Sequence, residues 1–194
     1  GMKTTFTVHT PTYTSKVTLP VLGIHNVLNA LSAIAVAQTM RLNLDKVVEK
    51  LNEYQPPEMR QTVYHIDDIT VIDDSYNASP DSMKAGLSVL CQMPADYRIA
   101  VLADMLELGE NTKEYHRQVG EYAGQSKVDE LLLYGELAGY IGYGAEQYIG
   151  KIKHFDTLRD ITEYLKAEIK PGTAVLFKGS RGMKLNEVVD GLLG

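Results

Sequence analysis

Val71-Ile72-Asp73-Asp74-Ser75-Tyr76-Asn77-Ala78-Ser79-Pro80-Asp81-Ser82-Met83 reads as a strand, a short polar loop and the start of a helix. An apolar run rich in β-branched residues stops at two carboxylates. Ser79 is a good N-cap, and Pro80 suits the first helical position, where a missing N–H costs nothing. Met83, Leu87, Leu90 and Cys91 follow at helical spacing and give the new helix an apolar face. In open α/β sheets ligands bind at such a junction, outside the carboxyl end of a strand. Asp73 and Asp74 stand where the strand runs out of core. Taken alone they leave two readings open: a turn cap beside a solvated carboxylate, or a ligand-binding pair.

Outward from this stretch, strand-like runs fall at 62–66, 69–72, 99–103, 130–134, 152–155 and 174–177. The first two are close enough for a hairpin across Asp67-Asp68. Most of the others are separated by helical patterns, as in the crossover units of a parallel sheet. Tyr115, Val119, Tyr122 and Ala123 make one helical face, with Asn111 as its cap and Glu114 reaching back. Leu158, Ile161, Leu165 and Ile169 make another, with Asp156 as its cap. Leu185, Val188, Val189, Leu192 and Leu193 make the last. The fold class is α/β: a Rossmann-like, mainly parallel sheet flanked by helices.

Ahead of this sheet the pattern differs. Phe6 and Val8, then Val17 and Leu19, recur at period two around a loop near 10–15, so 3–22 predicts two strands, the second ended by Pro20. Such a ribbon needs helices or further strands to cover it. A helix runs from 23 to about 40, apolar nearly all round and therefore expected to be buried on most sides. Asn26 and Asn29 share one face of its first turn, beside His25. They read as caps or as a hydrogen-bonding edge for a flat polar ligand. A second helix spans about 44–54 and ends at Gln55-Pro56-Pro57, where a linker is expected. The division is thus 1–59 and 60–194. Gly1 ahead of Met2 reads as the remnant of a cleaved tag.

Composition sets limits. The hydrophobic fraction of 44% and the charged fraction of 23% are those of an ordinary globular protein. A net charge of −6 argues against a general nucleic-acid or anionic-membrane binder. No leader and no run of about 18 apolar residues is present, so no membrane partner and a cytoplasmic location are expected. Cys91 has no cysteine to pair with and lies on an apolar face, as core or as nucleophile. His9, His25, His65, His116 and His154 lack metal-ligand spacing, so no metal site is expected. There is neither a G-x-x-x-x-G-K-[ST] nor a G-x-S-x-G motif.

Three strand ends are polar: 73–77, then Ala103-Asp104-Met105-Leu106-Glu107-Leu108-Gly109, then Lys178-Gly179-Ser180-Arg181-Gly182. In a parallel sheet all three emerge on one edge, which brings residues roughly 100 positions apart to one crevice. The third stretch suits an anion. Its glycines allow a tight turn, the next helix offers its positive end, and Lys178 and Arg181 add charge. The other reading is a plain strand-to-helix turn with exposed basic residues.

These three stretches resemble the carboxy-terminal domain of Mur ligases, and in particular the type (MurF) that adds D-alanyl-D-alanine to the UDP-N-acetylmuramoyl tripeptide. Gly23-Ile24-His25-Asn26-Val27-Leu28-Asn29-Ala30 resembles the adenine-contacting motif near the end of that family's central, ATP-binding domain. The resemblance implies an ATP-dependent amide ligase of peptidoglycan precursor synthesis that works through an acyl phosphate. It implies ATP contacts at His25, Asn26, Asn29, Arg60 and Asp74. Tyr76, Asn77, Asp104, Lys178, Ser180 and Arg181 would surround the amino substrate, with Lys178 and Arg181 clamping the dipeptide carboxylate. ATP and Mg2+ would be the cofactors. The family keeps its phosphate loop and magnesium ligands in the central domain, and closure of the carboxy-terminal domain completes the site. Those parts are absent here. The resemblance therefore implies a fragment, the tail of the central domain (1–59) plus the carboxy-terminal domain (60–194), inactive alone and partnered by the missing domains. Rival readings are a folylpolyglutamate or cyanophycin synthetase and a non-catalytic nucleotide- or peptide-binding module.

Overall fold

The computed structural model describes residues 3–194, and Gly1 and Met2 lie outside the described residues. The chain divides into two compact units, one running to Pro57 and the other Glu58–Gly194. In the first, β1 (Thr4–Thr10) and β2 (Tyr13–Leu19) form an antiparallel ribbon with Phe6 opposite Val17. Two helices follow, α1 (Ile24–Thr39) and α2 (Leu44–Asn52). Val8, Val17, Leu19 and Val21 share a core with Ala30, Ile34 and Val48, so the ribbon is covered by these helices. The expectation that α1 is buried on most sides is not met. Only Val27, Ala30, Ile34 and Ala37 are buried, while Ile24, Leu28, Val36 and Met40 are exposed. The ribbon and α2 can cover one stripe of a helix, not its circumference.

The second unit is a six-stranded sheet ordered β3-β4-β8-β5-β6-β7. Its strands are β3 (Thr62–Ile66), β4 (Ile69–Asp73), β5 (Tyr97–Ala103), β6 (Glu130–Tyr134), β7 (Ile152–Phe155) and β8 (Thr173–Lys178). β3 pairs antiparallel with β4 as the hairpin, and the remaining pairs are parallel. Strand side chains alternate between the two faces. Val71, Val101, Leu132, Val175 and Phe177 pack on one face with residues of α6 (Leu158–Glu168) and α7 (Asn186–Leu193). Their neighbours Ile72, Leu102, Leu131, Leu133 and Leu176 are buried on the other. There lie α3 (Pro80–Gln92), α4 (Thr112–Gly124) and α5 (Ala138–Ala145).

α3 starts as its sequence dictates. Ser79 accepts from the Ser82 N–H, Ser82 Oγ accepts from the Ser79 N–H, and Pro80 occupies the first turn. Cys91, at its far end, is half-buried and free. Two expected caps are corrected. Asn111 sits in a 3-10 turn and its side chain makes no capping bond. Glu114 pairs with Arg117, whose guanidinium, helped by Gln118, holds that carboxyl at about 2. Thr157, not Asp156, caps α6 by accepting from the Asp160 N–H at 3.1 Å. A threonine at the N-cap can reach the third N–H with its own hydroxyl.

α5 went unread in the sequence because its glycines hide a helical pattern. They serve packing against α4. A Cβ on Gly120 would overlap the Ile141 carbonyl, and one on Gly144 would overlap the Arg117 carbonyl. Gly144→Ala should force the helices apart and lower stability by roughly 1–3 kcal/mol. Denaturant midpoints should show that loss, while Gly150→Ala, where nothing lies within 4 Å, leaves the midpoint unchanged.

Candidate functional site

Parallel pairing decides which residues meet. Asp73 of β4 lies opposite Phe177 of β8, and Leu102 of β5 lies opposite Lys178. The ends of three adjacent strands therefore open side by side on one sheet edge. Asp74, Asp104 and Lys178 all belong to it.

The loop after β4 carries Asp74, Tyr76 and Asn77. The Asp74 N–H continues the sheet by bonding the Phe177 carbonyl at 3.0 Å. Asp73 itself is buried, and its Oδ1 accepts from both the N–H and the hydroxyl of Ser75. Tyr76 and Asn77 are exposed, and Asn77 Oδ1 turns back to the Ala78 N–H at 2.8 Å. Just ahead of β3, Met59 accepts from the Tyr76 N–H through its carbonyl. The Arg60 guanidinium lies 4.3 Å from the centre of the Tyr76 ring.

The loop after β8 differs from expectation. The following helix does not begin at Gly179. A 3-10 turn, Arg181–Met183, and a left-handed Lys184 intervene before α7. Gly179 serves close approach, because a Cβ there would come within 2.7 Å of the Ala103 side chain. Lys178 is 2% exposed, and its ammonium pairs with Asp74 Oδ2 at 2.8 Å. It also donates to the Asn77 carbonyl at 3.0 Å and faces the Asp74 carbonyl at 3.4 Å. Three acceptors answer three N–H groups, so the ammonium expected to clamp a carboxylate is engaged internally in this structure. Arg181 is exposed and held by uncharged groups, Met59 Sδ at 2.6 Å and Asn186 Oδ1 at 3.4 Å.

The loop after β5 is pinned from several sides. Ser180 donates its N–H to the Asp104 carbonyl and accepts from the Leu106 N–H at 2.8 Å. Asp104 Oδ1 accepts from the Ala138 N–H at 2.6 Å, at the start of α5. Gly135, at φ 106°, must be glycine, since a Cβ would overlap the Asp104 carboxylate. Asp104 and Ser180, expected beside the substrate, are thus buried and engaged in holding the loop.

His116 was missed as a site residue. It is fully buried on α4, where Nε2 accepts from the Met105 N–H at 2.9 Å. Its Nδ1 lies 2.7 Å from the Thr112 carbonyl and therefore carries the proton. The spacing of His116, Val119, Gly120 and Ala123, the buried stripe of α4, was the available signal. Val119 and Ala123 of the expected face are buried, while His116 and Gly120, not Tyr115 and Tyr122, complete the stripe.

His25, Asn26 and Asn29 belong to the other unit, at the start of α1. Gly23, at φ 95°, is the N-cap and offers no side chain. Asn26 Nδ2 donates to the Leu22 carbonyl at 2.8 Å and lies 3.1 Å from His25 Nε2. Asn29 is exposed. Among the described residues, no group of three or more His, Cys, Asp or Glu could hold a metal ion. No helix among them is long and apolar enough to cross a membrane.

Residues 59–181 match the family described as Mur ligase, glutamate ligase domain. The chain belongs to the Mur ligase family. It is 34% identical over 179 residues to the UDP-N-acetylmuramoyl-tripeptide--D-alanyl-D-alanine ligase of Bacillus subtilis (strain 168), covering 90% of this chain and 39% of that protein. The fold is similar to MurF from Acinetobacter baumannii, with a TM-score of 0.89 and 29% identity over 98% of this chain and 42% of that one. It is also similar to MurF ligase from Thermotoga maritima in complex with ADP, with a TM-score of 0.83 and 25% identity over 98% and 43%. This Mur ligase chain spans about two fifths of the length of the relatives it matches.

Burial pushes the Asp73 carboxyl above the ordinary aspartate range, more than its Ser75 bonds pull it down. The fold therefore favours the protonated form, and stability is lost as pH rises from the unfolded value through the raised one. Asp73→Asn should melt higher than the parent at neutral pH. The gap should close below about pH 4, where both carry a neutral group, and paired thermal melts across that range test it.

Proposed function

We propose that this chain is part of an ATP-dependent amide ligase that joins D-alanyl-D-alanine to a UDP-N-acetylmuramoyl tripeptide in the cytoplasm. The observation that carries the reading is the meeting of three polar strand-end loops on one sheet edge, with Asp74, Arg60 and Arg181 around them. The family match, and the identity to a protein named for that reaction along nine tenths of the chain, support it. ATP would convert the tripeptide carboxylate into an acyl phosphate, whose phosphate is then displaced by the dipeptide amine.

The residues present fit a nucleotide. The Asp74 carboxylate accepts hydrogen bonds, as ribose hydroxyls require. Arg60 rests on an aromatic face and has no carboxylate partner among the described residues, so its charge is available to phosphate oxygens. In the other unit, taken by itself, Asn26 and Asn29 lie in the first turns of α1 beside His25, where the family resemblance expects adenine contacts. Arg181, exposed and hydrogen-bonded to a thioether and an amide, is available to the free carboxylate of the dipeptide, with Tyr76 and Asn77 exposed beside the same loop. Asp104 and Ser180 act by holding the rim in shape. Magnesium would accompany the nucleotide. Among the described residues no group of three or more His, Cys, Asp or Glu could hold it.

The test is phosphate release by the protein that carries these residues together with the family's phosphate-binding domain. Release should require ATP, the muramyl tripeptide and D-alanyl-D-alanine together. Release with folate and glutamate instead would overturn the substrate assignment. Arg60→Ala, at an exposed position, should raise the Michaelis constant for ATP about tenfold or more, the worth of one hydrogen bond to a charged group. Micromolar ATP affinity of the 194-residue chain alone, seen by calorimetry, would favour a nucleotide-binding module.

A further inference from the structure

We infer that Lys178 is a positioning residue, whose buried ammonium fixes the 74–77 loop in the shape in which it meets ligand, and that Gly86 is glycine to admit it. What the loop serves rests on the function proposed above; that Lys178 holds it does not. Three observations carry the inference.

The first is burial. The Lys178 side chain is 3% exposed and that of Asp74 13%, so the pair is largely removed from water. Replacing such a pair by apolar residues of similar volume is often neutral or stabilising. Stability alone therefore does not account for an ion pair at this point.

The second is the set of partners. All three acceptors, Asp74 Oδ2, the Asp74 carbonyl and the Asn77 carbonyl, belong to one loop, a hundred residues away in sequence. An ammonium carries three N–H groups on one compact centre and can answer three acceptors converging from different directions. A planar guanidinium cannot.

The third is space. Gly86 lies on the face of α3 turned towards the pair. A Cβ there would come within 3.0 Å of Lys178 Cδ and 3.3 Å of Asp74 Oδ2. Glycine inside a helix costs about 1 kcal/mol relative to alanine. Its presence in the middle of α3 has a physical reason in the ion pair.

Amide exchange on the 194-residue chain tests this without nucleotide or substrate, so its outcome is independent of the ligase reading. The loop has its own reporters: the N–H groups of Ser75, Tyr76 and Ala78, bonded to Asp73 Oδ1, the Met59 carbonyl and Asn77 Oδ1. In Lys178→Met these amides should lose protection about tenfold or more, while those of β5 and β6 keep theirs. Lys178→Arg should fail to restore the loop, because charge without the three-way geometry is insufficient.

Gly86→Ala covers the case in which loss of the charge unfolds the chain. It should leave global stability equal or higher, by helix propensity, and still loosen the loop. It should also move the 15N signal of the Lys178 ammonium. Loop protection unchanged in Lys178→Met, or full rescue by arginine, would overturn the inference. So would a Gly86→Ala chain with the parent's loop protection and the parent's ammonium signal.

Discussion

A lysine ammonium can be taken out of water only where every N–H it carries is answered, and at the end of β8 that condition shapes the rim of the sheet. Lys178 finds its acceptors in the loop after β4. Two residues on, Ser180 donates its N–H to the Asp104 carbonyl and accepts from the Leu106 N–H, both in the loop after β5. β8 can reach both because it lies between β4 and β5 in the sheet, although it follows them in the chain. The last strand laid down in sequence thus ties together the loops of two earlier ones. Gly179 lets it approach Ala103, and Gly86 leaves room for the lysine stem.

The rim separates its charges by burial. Lys178 is neutralised inside by Asp74. Arg60 and Arg181 rest on an aromatic ring, a thioether and an amide, none of which cancels a positive charge. The two guanidiniums are oriented by these supports and stay exposed, whereas the lysine is paired in the interior. Behind them Asp104, Ser180 and His116 hold backbone groups that the turns leave unpaired. Buried polar residues at a strand end therefore need not face the ligand, even where their letters suggest it.

The smaller unit follows different physics. Its ribbon and two helices close a core around Val17 and Ile34, but α1 keeps a second apolar stripe, including Leu28 and Val36, in contact with solvent. Periodicity shows that a helix is apolar all round. It cannot show how many neighbours are present to cover it.

The strands, the hairpin at Asp67-Asp68, the Ser79-Pro80 helix start and the gathering of three polar loops on one edge were all legible in the sequence. Each depends on side-chain period, on a cap or on parallel pairing, and those are local or topological properties. The Asn111 and Asp156 caps, the glycine-rich α5, and Tyr115 and Tyr122 on the inner face of α4 were where sequence and structure part. In each of them a tertiary neighbour, or a residue one place along, made the better contact. The roles within the site were the least legible. Sequence alone determined that Lys178, Ser180 and Asp104 stand at strand ends. Only the tertiary structure decided where they point: Lys178 at Asp74 and Asn77, Ser180 at the Leu106 N–H, and Asp104 at the Ala138 N–H. Hydrogen-bond donors and acceptors pair by distance and direction in space, and the partner of a lysine a hundred residues away leaves no local trace in the chain.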